Sequence, residues 1–170
     1  MNPNKALWEK GDFTRIARTM RASGQALAAS IGVAKGQKVL DLGCGDGTTA
    51  IPAAQLGAEV LGVDIAGNLV AAGNRRAKEL GVANVRFQQG DACDLRPLDD
   101  RSFDFVVTVF GAMFAPKPAD VAKEMVRVTK PAPPASPATA SRSRRTPSRS
   151  ISTAARRSSS KSSAATTAPR

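Results

Sequence analysis

Two stretches of sequence decide the fold of this chain: Val39-Leu-Asp-Leu-Gly-Cys-Gly-Asp-Gly47 and, further on, Gly62-Val-Asp-Ile65. The first has the pattern of a buried β-strand that runs into a glycine-rich turn. The second has the pattern of another strand, and its acid, Asp64, comes 17 residues after Gly47. Two strands separated by a helix-length segment, with glycines after the first and a carboxylate after the second, are typical of a nucleoside-binding βαβ unit. The sequence therefore predicts a site for a nucleoside cofactor.

The spacing of the glycines indicates which cofactor this is. A dinucleotide fingerprint is G-x-G-x-x-G and brings a pyrophosphate to a helix N-terminus, whereas here Gly43, Gly45 and Gly47 follow a G-x-G-x-G spacing. An acid, Asp41, precedes them on the strand. A carboxylate beside the turn repels a pyrophosphate but suits a ligand with an ammonium and a sulfonium group. The ligand that fits is S-adenosylmethionine.

The pattern around these stretches predicts an α/β fold. Strands are predicted at residues 38–42, 59–64, 84–88 and 103–109, and helices at residues 48–56, 69–80 and 119–128, the second of them closed by Gly81. Alternating strands and helices imply right-handed crossovers and a parallel sheet. Residues 4–32 are predicted to be helical, with breaks at Gly11 and Gly24. The candidate buried positions in that segment are Ala6, Ile16, Ala17, Met20, Leu27 and Ile31.

Four motifs carry a resemblance to a known family. Residues 39–47, residues 62–64, Gly90-Asp-Ala92 and Phe103-Asp-Phe-Val-Val107 resemble successive motifs of the class I S-adenosylmethionine-dependent methyltransferases. The subgroup that the chain resembles is the small-molecule type related to quinone-biosynthesis methyltransferases. The resemblance covers roughly residues 8 to 130 and implies a Rossmann-like methyltransferase core.

The resemblance implies roles for the residues around the methionine half of the cofactor. Gly43, Gly45 and Gly47, together with Cys44, would form the turn whose backbone approaches this half closely, because side chains there would prevent the approach. Asp41 would lie near the ammonium group.

It also implies roles around the nucleoside and the methyl group. Asp64 would accept hydrogen bonds from both ribose hydroxyls, with Ile65 against the adenine. Asp91 would face the exocyclic amine, and Ala92 would donate its backbone N–H to the ring. The wall of the methyl-transfer site would be formed by Val109 and Phe110. Phe13 and Thr14 fall in the segment that often folds over the cofactor as a lid, although for Trp8 and Phe13 packing within the N-terminal helix is the alternative.

Composition excludes several kinds of chemistry. The chain has no histidine, which excludes Ser-His and Cys-His nucleophilic machinery and histidine-bound metals. Methyl transfer needs no acid–base pair, because the sulfonium already makes the methyl group electrophilic, so we assign no catalytic residue and no metal. The N-terminus has no long apolar run and predicts neither a signal peptide nor a membrane span. Cys44 and Cys93 fit a reducing cytoplasm as small apolar fillers.

The last 40 residues differ from the rest. Residues 131–170 hold 8 of the 25 basic residues, none of the 14 acids and none of the 14 glycines. We expect residues 1–130 to form a partial methyltransferase core and residues 131–170 to be a disordered tail, because the tail has too little apolar surface to offset its conformational entropy. The resemblance ends at Pro131, which would leave strand four as an open edge. One hypothesis is out-of-frame translation after about codon 131; the other is a genuine basic tail that contacts phosphate nonspecifically.

The function predicted first is transfer of a methyl group from S-adenosylmethionine to a small-molecule acceptor. A second hypothesis is an inactive, truncated fragment with residual cofactor binding. A third is nonspecific association with nucleic acid through the tail. The sequence specifies neither the accepting atom nor the oligomeric state.

Overall fold

The computed structural model describes residues 2–132, and within them the sheet is the one that the sequence predicts. Its strands are β1 (Lys38–Leu42), β2 (Glu59–Asp64), β3 (Val85–Gln89) and β4 (Phe105–Val107). All pairings are parallel and the order is β3-β2-β1-β4. The Rossmann-like α/β prediction is confirmed, and β4 is an edge of the described sheet. The predictions for the tail lie, from Pro133 onward, outside the described residues, and the predicted domain boundary stays a prediction.

Six α-helices and one short 3-10 helix surround this sheet in the described residues. The α-helices are α1 (Lys5–Lys10), α2 (Phe13–Thr19), α3 (Arg21–Ser30), α4 (Ala50–Gln55), α5 (Gly67–Glu79) and α6 (Pro118–Val128), and the 3-10 helix is Gly111–Phe114. As predicted, α5 is closed by Gly81, which has a φ of 66°. The N–H of Gly81 donates to Lys78 and that of Val82 to Ala77, the Schellman arrangement that satisfies the last carbonyls of a helix. No helix among residues 2–132 is long and apolar enough to cross a membrane.

The two faces of the sheet have separate apolar cores. One core joins Val39 and Val60 to Ile51 of α4 and to Phe87. The other joins Leu40 and its neighbours on the opposite face to α6. Both faces are covered by helices, which explains why Val39, Leu40 and Leu42 of β1 are buried and apolar. The two charged residues of this strand are Lys38, which is exposed at its start, and Asp41, with 2% of its surface exposed.

β4 is shorter than the predicted strand at residues 103–109. At its start, Phe103 pairs instead with Thr129, the residue that follows α6. At its end, the Thr108 hydroxyl donates to the Leu42 carbonyl at 2.8 Å and accepts the Ala112 N–H at 3.0 Å. These side-chain bonds turn the backbone out of the ladder, because the hydroxyl replaces a strand partner.

The N-terminal segment contradicts two expectations. First, the candidate buried positions are not buried: in α1 and α2 no residue is, and in α3 only Gly24 and Ala28 are. Ile16 is 57% exposed. Four of the predicted positions line the cavity described below, namely Ile16, Ala17, Met20 and Leu27, whereas Ile31 is partly buried against one core of the sheet. Second, the segment breaks at Gly11, as expected, and at Met20, whereas Gly24 lies inside α3.

Gly24 is required by the packing of α3 against the turn before α4, and this contact predicts the effect of replacing it. A Cβ at this position would lie 2.2 Å from the carbonyl oxygen of Thr48. We expect Gly24→Ala to lower the free energy of unfolding by about 1–3 kcal/mol, although alanine favours a helix by about 1 kcal/mol over glycine. Urea unfolding measures this, with Ser23→Ala at the exposed neighbouring position as the control. An unchanged or higher stability of Gly24→Ala would contradict this contact.

Candidate cofactor-binding site

A cavity of about 640 Å³ opens at the carboxyl ends of the strands, and ten of the eleven predicted site residues line it. These are Asp41, Gly43, Cys44, Gly45, Asp64, Ile65, Asp91, Ala92, Val109 and Phe110. Ligands of open α/β sheets bind at this end, where the loops after β1 and β4 diverge to opposite sides. The exception is Gly47. Its φ is 86°, and a Cβ there would lie 2.6 Å from the Phe87 ring, so the structure gives this glycine a packing role in the core.

The other two glycines of the turn serve different purposes. Gly45 has a φ of 55°, and a Cβ on it would meet nothing within 4 Å, so its backbone is open to a ligand in the cavity. Gly43, at φ 69°, lies against the loop after β4, where a Cβ would be 2.6 Å from the Cα of Gly111. The sequence analysis did not single out Gly111. The sequence pattern that could have identified Gly111 is a glycine that follows the apolar run at the end of the predicted fourth strand.

Asp64 ends β2 as predicted, and its carboxylate is fixed by backbone donors. The N–H of Gly45 donates to Oδ2 at 2.8 Å and the N–H of Ala66 donates to Oδ1 at 2.9 Å. Burial raises the pKa of this carboxyl, and these hydrogen bonds oppose the rise. A carboxylate has about four lone-pair positions, so two remain for hydroxyl groups in the cavity.

Asp41 is the most deeply buried acid of the site. Burial raises its pKa to about 7; the backbone N–H of Ala50 opposes this rise, and the charge of Asp64 adds to it. Within residues 2–132 no lysine or arginine forms an ion pair with Asp41. A buried carboxyl without a cation is in the position to bind one, because a cationic ligand would favour its charged form.

The adenine end of the predicted site is held by the N-terminal segment. Asn2 donates to Asp91 Oδ2 at 3.1 Å, and the N–H of Cys93 donates to Asp91 Oδ1 at 2.9 Å. Ala92, which lies between Asp91 and Cys93 in the sequence, lines the cavity, and so does Ile65. The contact with Asn2 was not predicted, since a residue 89 positions away carries no local pattern.

The loop after β4 carries strain at the cavity wall. Phe110 has a φ of 64°, one of two non-glycine residues with positive φ among residues 2–132. Its side chain is 59% exposed and lines the cavity. Strained backbone of this kind is concentrated at functional sites, where the surrounding structure maintains it. Val109 and Phe110 both line the cavity, and their place in the wall of the methyl-transfer site stays a prediction.

Two arginines hold the glycine-rich turn, which the sequence analysis missed. Arg21 of α3 forms a two-pronged ion pair with Asp46, which has only 4% of its surface exposed. Arg76 of α5 donates to the carbonyls of Asp46 and Gly47 at 3.2 and 3.0 Å. The turn is therefore fixed from two helices before any ligand enters.

An aromatic cluster closes the opposite side of the cavity. Trp8 packs on Phe13 with ring centroids 4.9 Å apart and on Phe114 at 5.1 Å. All three line the cavity, so Trp8 and Phe13 pack together as one alternative expected, and their contact with a ligand stays a prediction. Glu9 attaches this segment to α5 by accepting the Gly67 N–H at 3.1 Å.

The residues present fit S-adenosylmethionine on three observations. The open backbone of Gly45 admits a close ligand, the unpaired Asp41 suits an ammonium group, and Asp64 has acceptor capacity left for ribose hydroxyls. No group of three potential metal ligands occurs among residues 2–132. Fold and site together define a nucleoside-cofactor-binding α/β protein of the Rossmann-like class.

Comparison with known proteins gives the family. The model of a methyltransferase-domain family matches residues 39–132. An uncharacterised protein of Mycobacterium tuberculosis is 36% identical over 129 residues, which are 75% of this chain and 46% of that protein. A demethylmenaquinone methyltransferase of Geobacillus kaustophilus is 40% identical over 102 residues, 58% of this chain and 43% of that protein. The chain belongs to this methyltransferase-domain family.

Solved structures agree with this assignment. The YcgJ protein of Bacillus subtilis aligns with a TM-score of 0.60 at 34% identity, covering 64% of this chain and 47% of that one. A putative methyltransferase of Bacillus halodurans aligns with a TM-score of 0.58 at 28% identity, covering 64% and 47%. The chain spans about half the length of the relatives that it matches.

Proposed function

We propose that the protein transfers a methyl group from S-adenosylmethionine to a small, uncharged, apolar molecule. The observation that carries the proposal is the division of the cavity into two ends. Its inner end holds the acids Asp41 and Asp64 and the open turn at Gly45. Its mouth is apolar: four of the large hydrophobic residues with high exposure lie there, namely Ile16, Phe110, Met113 and Phe114. Exposed apolar side chains gathered around one opening are typical of a binding site for an apolar ligand.

The chain's own residues bind and orient in this proposal. When bound, the cofactor supplies an electrophilic methyl group on a sulfonium. Asp64 and Asp91 would hold the nucleoside, and Asp41 the amino-acid end. Trp8 and Phe13 would exclude water and hold the acceptor in line with the methyl group, which is the main catalytic contribution that this chemistry needs.

The apolar mouth also limits the kind of acceptor. Among the described residues that line the cavity there is no lysine, arginine, tyrosine or histidine. The accepting atom therefore has a free lone pair at neutral pH, or loses its proton to water, because no general base lies at the mouth. Cys44 is buried, and the pKa of its thiol is raised by burial and by the acids around it, so it is not a nucleophile. Both cysteines are free in the structure, and we propose the reducing cytoplasm as the compartment.

Calorimetric titration of the 170-residue chain with S-adenosylhomocysteine, the demethylated product, tests cofactor binding. We expect saturable binding at one site.

A panel of uncharged apolar and of charged acceptors, assayed with radiolabelled S-adenosylmethionine, then tests the acceptor class. Absence of binding by a folded chain would overturn the proposal, and turnover of charged acceptors alone would overturn the acceptor class. Binding without any turnover would favour the second candidate, a cofactor-binding unit without activity. That candidate is supported by the position of β4 at an edge of the sheet that residues 2–132 form.

A charge at the mouth is expected to act on the acceptor alone. Met113 lines the cavity and is 68% exposed. Met113→Lys should lower kcat/KM for an apolar acceptor by about tenfold, because desolvating an ammonium group costs more than the contact returns. The affinity for S-adenosylhomocysteine should stay within about twofold, a change too small to reflect a lost contact. Val126→Lys, on α6 at 77% exposure and away from the cavity, is the matched control. Equal effects of the two substitutions would contradict the assignment of the mouth.

A further inference from the structure

The amino-acid end of S-adenosylmethionine carries two opposite charges, and only one of them has an evident partner in the cavity. Asp41 suits the ammonium group, as described above. Among the described residues that line the cavity there is no lysine or arginine to match the carboxylate. An unmatched carboxylate in a mostly buried site is costly, so donors for it are required.

One guanidinium contacts side chains of the cavity lining. Arg21 Nη1 donates to the Thr48 hydroxyl oxygen at 2.7 Å and to Asp46 Oδ1 at 2.8 Å. Both Thr48 and Asp46 line the cavity. Arg21 itself keeps 25% of its side-chain surface exposed, while Asp46 keeps 5%. Arg76, the other arginine near the turn, contacts only backbone carbonyls there.

The Thr48 hydroxyl is left with a proton to donate. A hydroxyl has one donor and two acceptor positions, and Arg21 occupies an acceptor position. Among residues 2–132 the Thr48 hydroxyl donates no hydrogen bond. A neighbouring cation strengthens such a donor, because hydrogen bonds polarise one another in a chain. Thr48, which lines the cavity, therefore keeps a polarised O–H group that has no acceptor among residues 2–132.

Thr48 also lies at the correct end of the cavity for this role. It lies two residues before Ala50, the first residue of α4, whose backbone N–H counteracts the rise in the pKa of Asp41, and both Thr48 and Asp41 line the cavity. Thr48 and Asp41 are thus neighbours around the first turn of α4. A ligand whose ammonium reaches Asp41 brings its carboxylate, only two bonds away, to the same turn.

We propose that Thr48 binds the α-carboxylate of the cofactor and that Arg21 acts through it as a positioning residue. Thr48 donates its hydroxyl proton to a carboxylate oxygen. Arg21 supplies the positive charge behind Thr48, and Asp46 holds Arg21 in place. The inference rests on the proposed function and assigns the recognition of one group within the same site.

Two ligands separate this role from general effects on binding. They are S-adenosylhomocysteine and its decarboxylated counterpart, which keeps the nucleoside, the sulfur and the ammonium group. In calorimetric titrations of the full chain, Thr48→Val should weaken S-adenosylhomocysteine binding by about tenfold, as loss of a hydrogen bond to a charged group does. It should change binding of the decarboxylated ligand less than twofold. Thr19→Val is the matched control, because the Thr19 hydroxyl donates to the Ile16 carbonyl on an exposed surface.

The role of Arg21 is tested by the same ratio of affinities. Arg21→Gln alone leaves Asp46 buried without a cation, so the double variant Arg21→Gln/Asp46→Asn is used with it. We expect the wild-type preference for the carboxylated ligand to be lost in the double variant, whereas a purely structural role would weaken both ligands equally. The inference is overturned if Thr48→Val loses affinity equally for the two ligands, or loses none. In that case, binding of S-adenosylhomocysteine by the wild type still supports the proposed function. Failure of the wild type to bind S-adenosylhomocysteine overturns both.

Discussion

Replacing Asp64 by alanine is expected to weaken S-adenosylhomocysteine binding by about 2–3 kcal/mol, or roughly 30- to 150-fold. The carboxylate is nearly buried and already accepts the N–H groups of Gly45 and Ala66. These bonds orient its remaining lone pairs toward the cavity, so that two ribose hydroxyls can donate to a charged acceptor. Charge-assisted hydrogen bonds of this kind are about twice as strong as neutral ones. Calorimetric titration measures the loss.

A ligand without one hydroxyl distinguishes loss of ribose contacts from collapse of the turn. If Asp64 binds the ribose, the alanine substitution costs less with the 2′-deoxy analogue of S-adenosylhomocysteine than with the parent ligand, as in a double-mutant cycle. Asp99→Asn, an exposed acid outside the cavity, is the control and should bind as the wild type does. Wild-type affinity in the Asp64→Ala variant would show that the ribose assignment is mistaken.

The second large effect is a dependence of stability on pH that comes from Asp41. Its pKa rises from 3.8 to about 7 on folding, chiefly through burial. Between these values the folded protein holds a proton that the unfolded chain has released. The free energy of unfolding therefore falls as pH rises, by about 1.4 kcal/mol per pH unit and by about 4 kcal/mol in total. Below pH 3.8 and above pH 7 this contribution is constant. Urea unfolding across pH 4 to 8 should show a clearly steeper decline in the wild type than in Asp41→Asn, in which the raised pKa of Asp64 still contributes.

Ligand binding is expected to reverse this trend. An ammonium group beside Asp41 favours the charged carboxylate, so binding below pH 7 must expel the proton. The affinity for S-adenosylhomocysteine should therefore decline by up to about tenfold per pH unit as pH falls from 7 toward 5. In Asp41→Asn, affinity should be lower at pH 8 and nearly independent of pH. Asp64, whose pKa is also raised, faces the same space, so the difference between wild type and variant is the quantity to compare. The same pH profile in both proteins would contradict the proposed contact with Asp41.

The sequence was informative where chemistry is local. The bounds of β1 and β2 were predicted to the residue, and β3 was predicted one residue early. Ten of the eleven predicted site residues line one cavity, because glycines with positive φ and acids at strand ends leave short-range signals. Gly47 lies outside the lining of this cavity for a tertiary reason. Its positive φ is visible in the spacing, but the Phe87 ring that fills the space beside it comes from another strand.

The N-terminal helices show the limit of periodicity. Their apolar stripe has the spacing of a core-facing helix, and a core position was predicted for Ile16, Ala17, Met20 and Leu27. All four instead line the cavity. Spacing shows that one face avoids water, but it does not show whether protein or ligand covers that face. For the same reason the pairing of Arg21 with Asp46 and of Asn2 with Asp91 had no signal in the sequence.

By itself the sequence determined the class of fold and the nature of the cofactor. Hydrophobic periodicity and glycine spacing act over a few residues, and they set the strands, the turn and the acid after each strand. The tertiary structure alone decided which acids are paired and which side chains close the cavity. Asp46 is neutralised by Arg21 while Asp41 has no ion-pair partner in the described residues, and this contrast supports the proposal that Asp41 binds the ammonium group. Burial and ion pairing depend on residues that are distant along the chain, and only folding brings them together.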